Sequence, residues 1–175
     1  MKRRTLLFGS LMLLSGCVTV QPLDSRERAG RFSLRVEGPD GIEAVTGRWK
    51  LVEAKDFTEL TLMTPLYGIL ARITVTPDGA VLERPNKKGK EASDSAANAL
   101  ELMRKHLGFG LPADMLSAWL SGIPWPQAPA QIANDAFIQA GWKIAVRRRK
   151  TDNSPALVAL SQTAPRQITL TLAIE

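Results

Sequence analysis

The sequence predicts a mainly β protein with helices (α+β), a curved sheet or incomplete antiparallel β-barrel with two short helices over its concave face and a cavity between sheet and helices. Three observations predict it. Most of the chain beyond residue 30 alternates apolar and polar residues with period two, the pattern of strands with one buried and one wet face. The connections between these runs are too short for parallel crossovers, so the strands form an antiparallel meander. Roughly eight to eleven strands are expected, more than a flat open sheet usually carries without curling. Two helical patterns in the middle of the chain then lie over the concave face.

The elements follow in order. Lys2, Arg3 and Arg4 open the chain, and an apolar run from Leu6 to Leu14 follows, broken by Gly9 and Ser10. These are the charged and apolar regions of a secretory signal. The run is well short of the roughly 20 residues of a membrane-spanning helix. It ends in Leu14-Ser15-Gly16-Cys17, small residues before a cysteine, which resembles the bacterial lipobox. Residues 1–16 are therefore expected to be a lipoprotein-type signal peptide, with Cys17 as the lipidation site. Cys17 is the only cysteine, so no intramolecular disulfide is possible and lipidation consumes its thiol. One acyl chain anchors a protein marginally, whereas two or more hold it on a bilayer.

Residues 17–29, mostly polar and without a period, are expected to form a tether. Residues 30–175 are expected to form one domain. Phe32, Leu34 and Val36 alternate with Ser33 and Arg35. Val45, Gly47, Trp49 and Leu51 alternate with Thr46, Arg48 and Lys50. Leu60 and Leu62, then Ala71, Ile73 and Val75, continue the pattern, and Val81–Glu83 is a short fifth run. Gly38-Pro39-Asp40-Gly41, Ala54-Lys55-Asp56 and Pro77-Asp78-Gly79 are turns between them.

A charged loop at 86–94 leads to a helix expected over Ser95–Leu107, capped by Asp94 or Ser93 and closed by Gly108. Its apolar positions are Ala96, Leu100, Met103 and Leu107. A second helix follows Pro112, carries Met115, Leu116, Trp119 and Leu120, and ends at Gly122. Pro124, Pro126 and Pro129 make an irregular stretch. Strands return at Trp142–Arg147, Leu157–Leu160 and Ile168–Ile174.

The formal charge of +6 overstates how basic the mature chain is. The signal removes three cations and leaves 20 basic against 17 acidic residues, a charge of +3. No nucleic-acid partner follows from so mild an excess. The chemistry of enzymes is missing too. The one histidine, His106, follows Arg104 and Lys105 at a helix end, where the helix dipole favours a cation. A Ser-His-Asp triad would have to use it, and no Gly-x-Ser-x-Gly setting exists. One histidine and one lipidated cysteine cannot build the usual zinc sites, so no metal or cofactor is expected. Gly108-Phe109-Gly110 precedes a proline rather than a phosphate-binding helix. Glu43, Glu53 and Glu59 fall on wet faces of strands rather than pairing as glycosidase carboxylates.

One feature breaks the pattern. Thr64-Pro65-Leu66-Tyr67-Gly68 is a hairpin turn, yet it carries Leu66 and Tyr67 and is followed by Ile69 and Leu70. Either the tip folds onto a neighbour and is structural, or it projects as an apolar finger for lipid or protein.

Taken together, Leu14-Ser15-Gly16-Cys17, Gly30-Arg31-Phe32, Gly47-Arg48-Trp49, Thr64-Pro65-Leu66, Leu111-Pro112, Trp119-Leu120-Ser121-Gly122-Ile123-Pro124 and Gly141-Trp142-Lys143 resemble the LolB family in order and spacing. The resemblance covers most of the chain. It implies a half-barrel around a hydrophobic cavity, with no covalent chemistry. It also implies a lipid-anchored protein on the periplasmic face of the outer membrane. Such a protein receives triacylated lipoproteins from the periplasmic carrier LolA and inserts them into that membrane, and a monomer is expected. The family's insertion leucine follows a proline, which matches Leu66 after Pro65, so Pro65, Leu66, Tyr67 and Gly68 are the implied insertion loop. The family usually has glycine directly after that leucine, whereas here Tyr67 intervenes. Val18 after Cys17, rather than aspartate, fits outer-membrane sorting.

Such a task has a size. Burying a methylene is worth about 0.8 kcal/mol, so an acyl chain of about 15 methylenes costs on the order of 12 kcal/mol to leave in water. An acceptor needs apolar walls. Phe32, Leu34, Trp49, Leu51, Leu60, Leu62, Ile73, Trp119, Trp142 and Ile144 are the candidate cavity residues, and each is equally a candidate for plain core. Arg147-Arg148-Arg149-Lys150 is either a solvated strand end or a patch for an acidic rim or lipid phosphates. A lipid-anchored scaffold with a filled barrel and a module for a small apolar ligand remain as other readings.

Overall fold

A computed structural model describes residues 24–175 except 40, 67, 86–90 and 165. The signal region and Cys17 lie outside the described residues, as does Tyr67. The elements are β1 (Arg26–Gly38), β2 (Gly41–Ala54), β3 (Phe57–Thr64), β4 (Gly68–Thr76), β5 (Gly79–Pro85), β6 (Glu91–Ala96), α1 (Ala99–Leu107), α2 (Ala113–Leu120), β7 (Gln131–Ala133), β8 (Ala136–Gln139), β9 (Trp142–Arg149), β10 (Pro155–Gln162) and β11 (Gln167–Ile174).

All strands join one antiparallel sheet of 11 in the order β6-β5-β4-β3-β2-β1-β11-β10-β9-β8-β7. The chain lays down β1 to β6 as a meander. It then crosses through α1 and α2 to the far edge and returns from β7 to β11, which pairs with β1. The edges β6 and β7 do not pair with each other, so the sheet is not closed. The mainly β antiparallel expectation therefore holds, with two short helices.

The first two strands show how the sequence sets the register. Gly30 lies opposite Trp49, and Phe32 lies opposite Gly47. A large ring covers a glycine on the facing strand, twice, in reciprocal order. A Cβ on Gly30 would stand 1.8 Å from the Ala173 carbonyl oxygen, and one on Gly47 would stand 1.9 Å from that of Met63. Only glycine lets the neighbouring backbone approach so closely. The Gly-Arg-Phe and Gly-Arg-Trp motifs are thus one packing device.

Several boundaries differ from the sequence reading. β1 starts at Arg26, so Arg26–Ala29 are strand rather than tether. Arg28 holds them there: its Nη2 pairs with Glu53 Oε2 at 3.0 Å, and its guanidinium also donates to Ser117 and Ser121 of the α2 region. α1 starts at Ala99, not Ser95, and its cap is Asn98, whose side chain accepts from the Glu101 N–H. Asp94 and Ser93 instead lie in β6, paired with Leu82 and Glu83. Gly108 closes α1 as expected, in the left-handed region. The β7–β8 hairpin lies between the proline-rich stretch and Trp142, where the sequence shows no period.

The core gathers on one face of the sheet. Ala99, Leu102 and Met103 of α1 and Ala113, Leu116, Trp119 and Leu120 of α2 bury there against the inward residues of both sheet halves. α2 touches β3 on one side and β10 on the other, so it bridges the two halves across the face.

Candidate functional site

Eight of the ten candidate wall residues, Phe32, Trp49, Leu51, Leu60, Ile73, Trp119, Trp142 and Ile144, are buried in this one cluster. Leu34 and Leu62 are partly buried against it. The structure therefore brings all ten together, and it does so as packed side chains. Each of the three buried indoles has its N–H satisfied, as burial requires. Trp49 Nε1 donates to the carbonyls of Arg31 and Ala173, at 3.2 and 3.1 Å. Trp142 Nε1 donates to the Gly110 carbonyl at 3.0 Å, and Trp119 Nε1 donates to Gln139 Oε1 at 2.8 Å.

Gln139 was not singled out in the sequence, yet it organises this region. It is buried at 1% exposure. Its Oε1 also accepts from the Trp125 N–H, and its Nε2 donates to the carbonyls of Trp125 and Ala128. One amide side chain thus ties α2 to the proline-rich loop with all its strong bonds made. The available signal was a polar residue two positions after Phe137, at an inward position of a short strand.

The hairpin tip is the opposite environment. Thr64 pairs with Gly68 across the turn, and the pairing shifts by one residue between Leu62 and Met63, a bulge that sharpens the twist of the tip. Gly68 sits at φ +65°, which the turn requires and glycine allows. Leu66 is 86% exposed and Ile69 is 37% exposed. No charged residue occurs from Met63 to Leu70. Of the two alternatives for this tip, Leu66 projects. The register sets the β1–β2 turn at the same end of the strands, and there Ile42 is 58% exposed.

The basic run does not act as one patch. Arg147 lines a groove of about 500 Å³ with Lys143, Ala145 and Ile138 along β8 and β9. Arg149 and Lys150 line a different groove, beside Arg26. Of the carboxylates considered as catalytic, Glu53 pairs with Arg28 and Glu59 lies 3.8 Å from Arg72, while Glu43 is exposed on β2.

His106 also has a structural setting. Arg84 Nη2 lies 2.9 Å from His106 Nδ1, and His106 Nε2 lies 2.7 Å from Asp94 Oδ2. Arg84 can only donate, so Nδ1 accepts and Nε2 carries the proton toward Asp94. Asp94 also takes Lys105 Nζ at 2.8 Å. Hydrogen bonds from Lys105 and then His106 lower the Asp94 carboxyl to about 2. This cluster fastens α1 to β5 and β6. Among the described residues, no group of histidine, cysteine and carboxylate side chains is arranged to hold a metal ion.

Comparison with known proteins agrees on the family. The family model described as outer membrane lipoprotein LolB matches residues 25–175, which span every strand and helix among the described residues. The outer-membrane lipoprotein LolB of Cupriavidus metallidurans is 33% identical over 170 residues, 89% of this chain and 80% of that protein. That of Cupriavidus pinatubonensis is 32% identical over 154 residues, 79% of this chain and 72% of the relative. A LolA superfamily protein of Nitrosomonas europaea, known from a crystal structure, overlays 89% of this chain and 86% of its own with a TM-score of 0.47 and 9% identity, a likeness too remote to carry a functional argument. The family match and the relatives both run across the folded domain, and the chain belongs to the LolB family of outer-membrane lipoproteins.

Proposed function

We propose that this chain, anchored by lipid on Cys17, receives triacylated lipoproteins from the carrier LolA and inserts them into the outer membrane. The observation that carries this reading is the Leu66 tip. An 86% exposed leucine in an uncharged hairpin turn has no role in the core, and exposed apolar surface of this kind marks contact with lipid or another protein. Pro65, Leu66, Tyr67 and Gly68 are then the insertion loop. The ten clustered apolar residues offer the acyl chains their environment, with no cofactor and no covalent step.

Acyl chains enter such an interior only if something moves. The strands are held by backbone ladders. α2 is held by side chains, through Arg28 to Ser117 and Ser121 and through Trp119 to Gln139. It also buries Leu116, Trp119 and Leu120, so its displacement is offset only if acyl chains take the place of those side chains against the sheet.

A second reading has an observation in its favour. The interior is packed, as expected of a lipid-anchored scaffold whose barrel is simply filled. One experiment separates the two. Carrier loaded with radiolabelled lipoprotein is mixed with the anchor-free chain, and the label is followed. Among the described residues every strand and helix lies within residues 26–174, so the anchor-free chain keeps all of them. Passage of label to the chain supports the hand-off. Label that stays on the carrier overturns it and favours the scaffold.

A further inference from the structure

The end of the sheet opposite the Leu66 tip carries a second kind of surface. There β1 begins, the β9–β10 turn folds over, and α2 ends. A groove of about 520 Å³ lies between them, lined in part by Arg26, Arg149, Lys150, Leu120, Pro155 and Ile174. We infer that this groove binds a phosphate group, that of an anionic glycerophospholipid in the membrane that anchors the chain. The choice of a lipid as the source rests on the proposed anchor at Cys17.

The charges support an anion. Arg28 also lines the groove, but Glu53 neutralises it, and Glu175 is matched by Arg31 and Arg48. Arg26, Arg149 and Lys150 then face one carboxylate, Asp152. That carboxylate accepts from the N–H and the hydroxyl of Ser154, stays ionised beside Lys150, and offsets one of the three cations, which leaves the set with a surplus of two positive charges.

The turn that carries two of the cations is braced. Arg149 Nη1 donates to the Asn153 carbonyl at 2.9 Å, and the Lys150 N–H donates to the Ser154 carbonyl at 2.8 Å. A β-turn braced at both sides therefore presents Arg149 and Lys150, while β1 presents Arg26. No ion pair joins these three to a carboxylate among the described residues.

Two further features favour a lipid over free phosphate. Leu120, Pro155 and Ile174 give the groove an apolar wall, which suits the glycerol and upper acyl part of a phospholipid. Position is the other. Arg26 stands only nine positions after Cys17, a reach of about 30 Å when fully extended. A groove tethered that closely to an anchored residue meets a high density of headgroups. The groove and Leu66 lie at opposite ends of the strands, so headgroup capture and tip insertion are alternative attitudes of one tethered domain.

The test uses the anchor-free chain with vesicles of phosphatidylcholine, alone or mixed with phosphatidylglycerol, read by co-sedimentation. Each cation near an anionic surface is worth about 1 kcal/mol, so Arg26→Gln, Arg149→Gln and Lys150→Gln together should weaken binding to the mixed vesicles roughly a hundred-fold. The three sites are exposed, so the thermal melt should be unchanged. The phosphatidylglycerol-dependent part should persist in Leu66→Glu, which separates this groove from the tip. Equal binding of the triple variant and the parent overturns the proposal, as does equal binding to both kinds of vesicle. Inorganic phosphate should displace the chain no better than sodium chloride of the same ionic strength. If phosphate binds while the vesicles do not, the site is one for the free ion and the lipid assignment falls. If the triple variant binds vesicles normally but fails to take label from the carrier, the groove serves an acidic protein surface and the lipid assignment again falls. Loss of vesicle binding with hand-off intact leaves the proposed function standing.

Discussion

The interior and the hairpin tip are both apolar, and they are built on opposite rules. Inside, each tryptophan fills space and also finds a carbonyl or amide oxygen for its N–H. Such groups are over-determined, and each is fixed by packing and by direction. At the tip, Leu66 has no charged neighbour in sequence and is 86% exposed. The same chemical class of residue holds the fold together in one place and is free of it in the other. Apolar character alone therefore does not separate the two environments, whereas the packing of each residue does.

The largest expected effect breaks the interior. Trp119→Ala removes a fully buried indole and leaves Gln139 Oε1 one donor short. It should cost about 3–5 kcal/mol, read as a fall in the denaturant midpoint. A cost below about 1 kcal/mol would mean that the site collapses easily, and the interior would then be loose lining rather than core.

The next comparison uses two glycines of the same strand. Gly30 lies inside, and its added Cβ would meet the Ala173 carbonyl oxygen at 1.8 Å. Gly38 lies at the turn, with nothing within 4 Å. Gly30→Ala should destabilise by about 1–3 kcal/mol, since strand β11 must move, while Gly38→Ala should fall within about 0.5 kcal/mol of the parent. Equal effects would show that the close approach of β1 and β11 contributes nothing.

A smaller effect is expected on acidification. Lys105 and His106 hold the Asp94 carboxyl at about 2, below its ordinary 3.8. A carboxyl lowered on folding stabilises the fold above the unfolded value, and that contribution is lost as pH falls from about 4 through about 2. Asp94→Asn should flatten the stability profile in this window. An unchanged profile would show that the α1 fastening is electrostatically idle.

Much of this was legible in the sequence. Period-two alternation found the body of β1 to β5 and of β9 to β11, because those strands bury one face. α2 and the Gly108 stop were equally plain. β6 was missed because Glu-Ala-Ser-Asp-Ser-Ala has no apolar alternation and is recruited by its backbone ladder with β5. For the same reason Asp94 read as a helix cap, although it reaches α1 from a strand. The first residues of β1 look like tether in the sequence because they are charged, and the Arg28–Glu53 pair that holds them is a long-range contact. The β7–β8 hairpin is too short to show a period, and Gln139 with it. At the site, the wall residues were identifiable as apolar, but whether they form packed core or lining depends on three-dimensional filling. The projection of Leu66 likewise depends on where the neighbouring hairpins end.

The most direct test of the central claim is delivery by Leu66→Glu. Labelled lipoprotein is passed from the carrier to the variant and then offered to outer-membrane vesicles, and the label reaching the vesicles is counted. The account predicts a denaturation midpoint like that of the parent, normal uptake of label and loss of most delivery. Delivery equal to that of the parent, with the glutamate in place, would contradict it and leave the exposed leucine without a function.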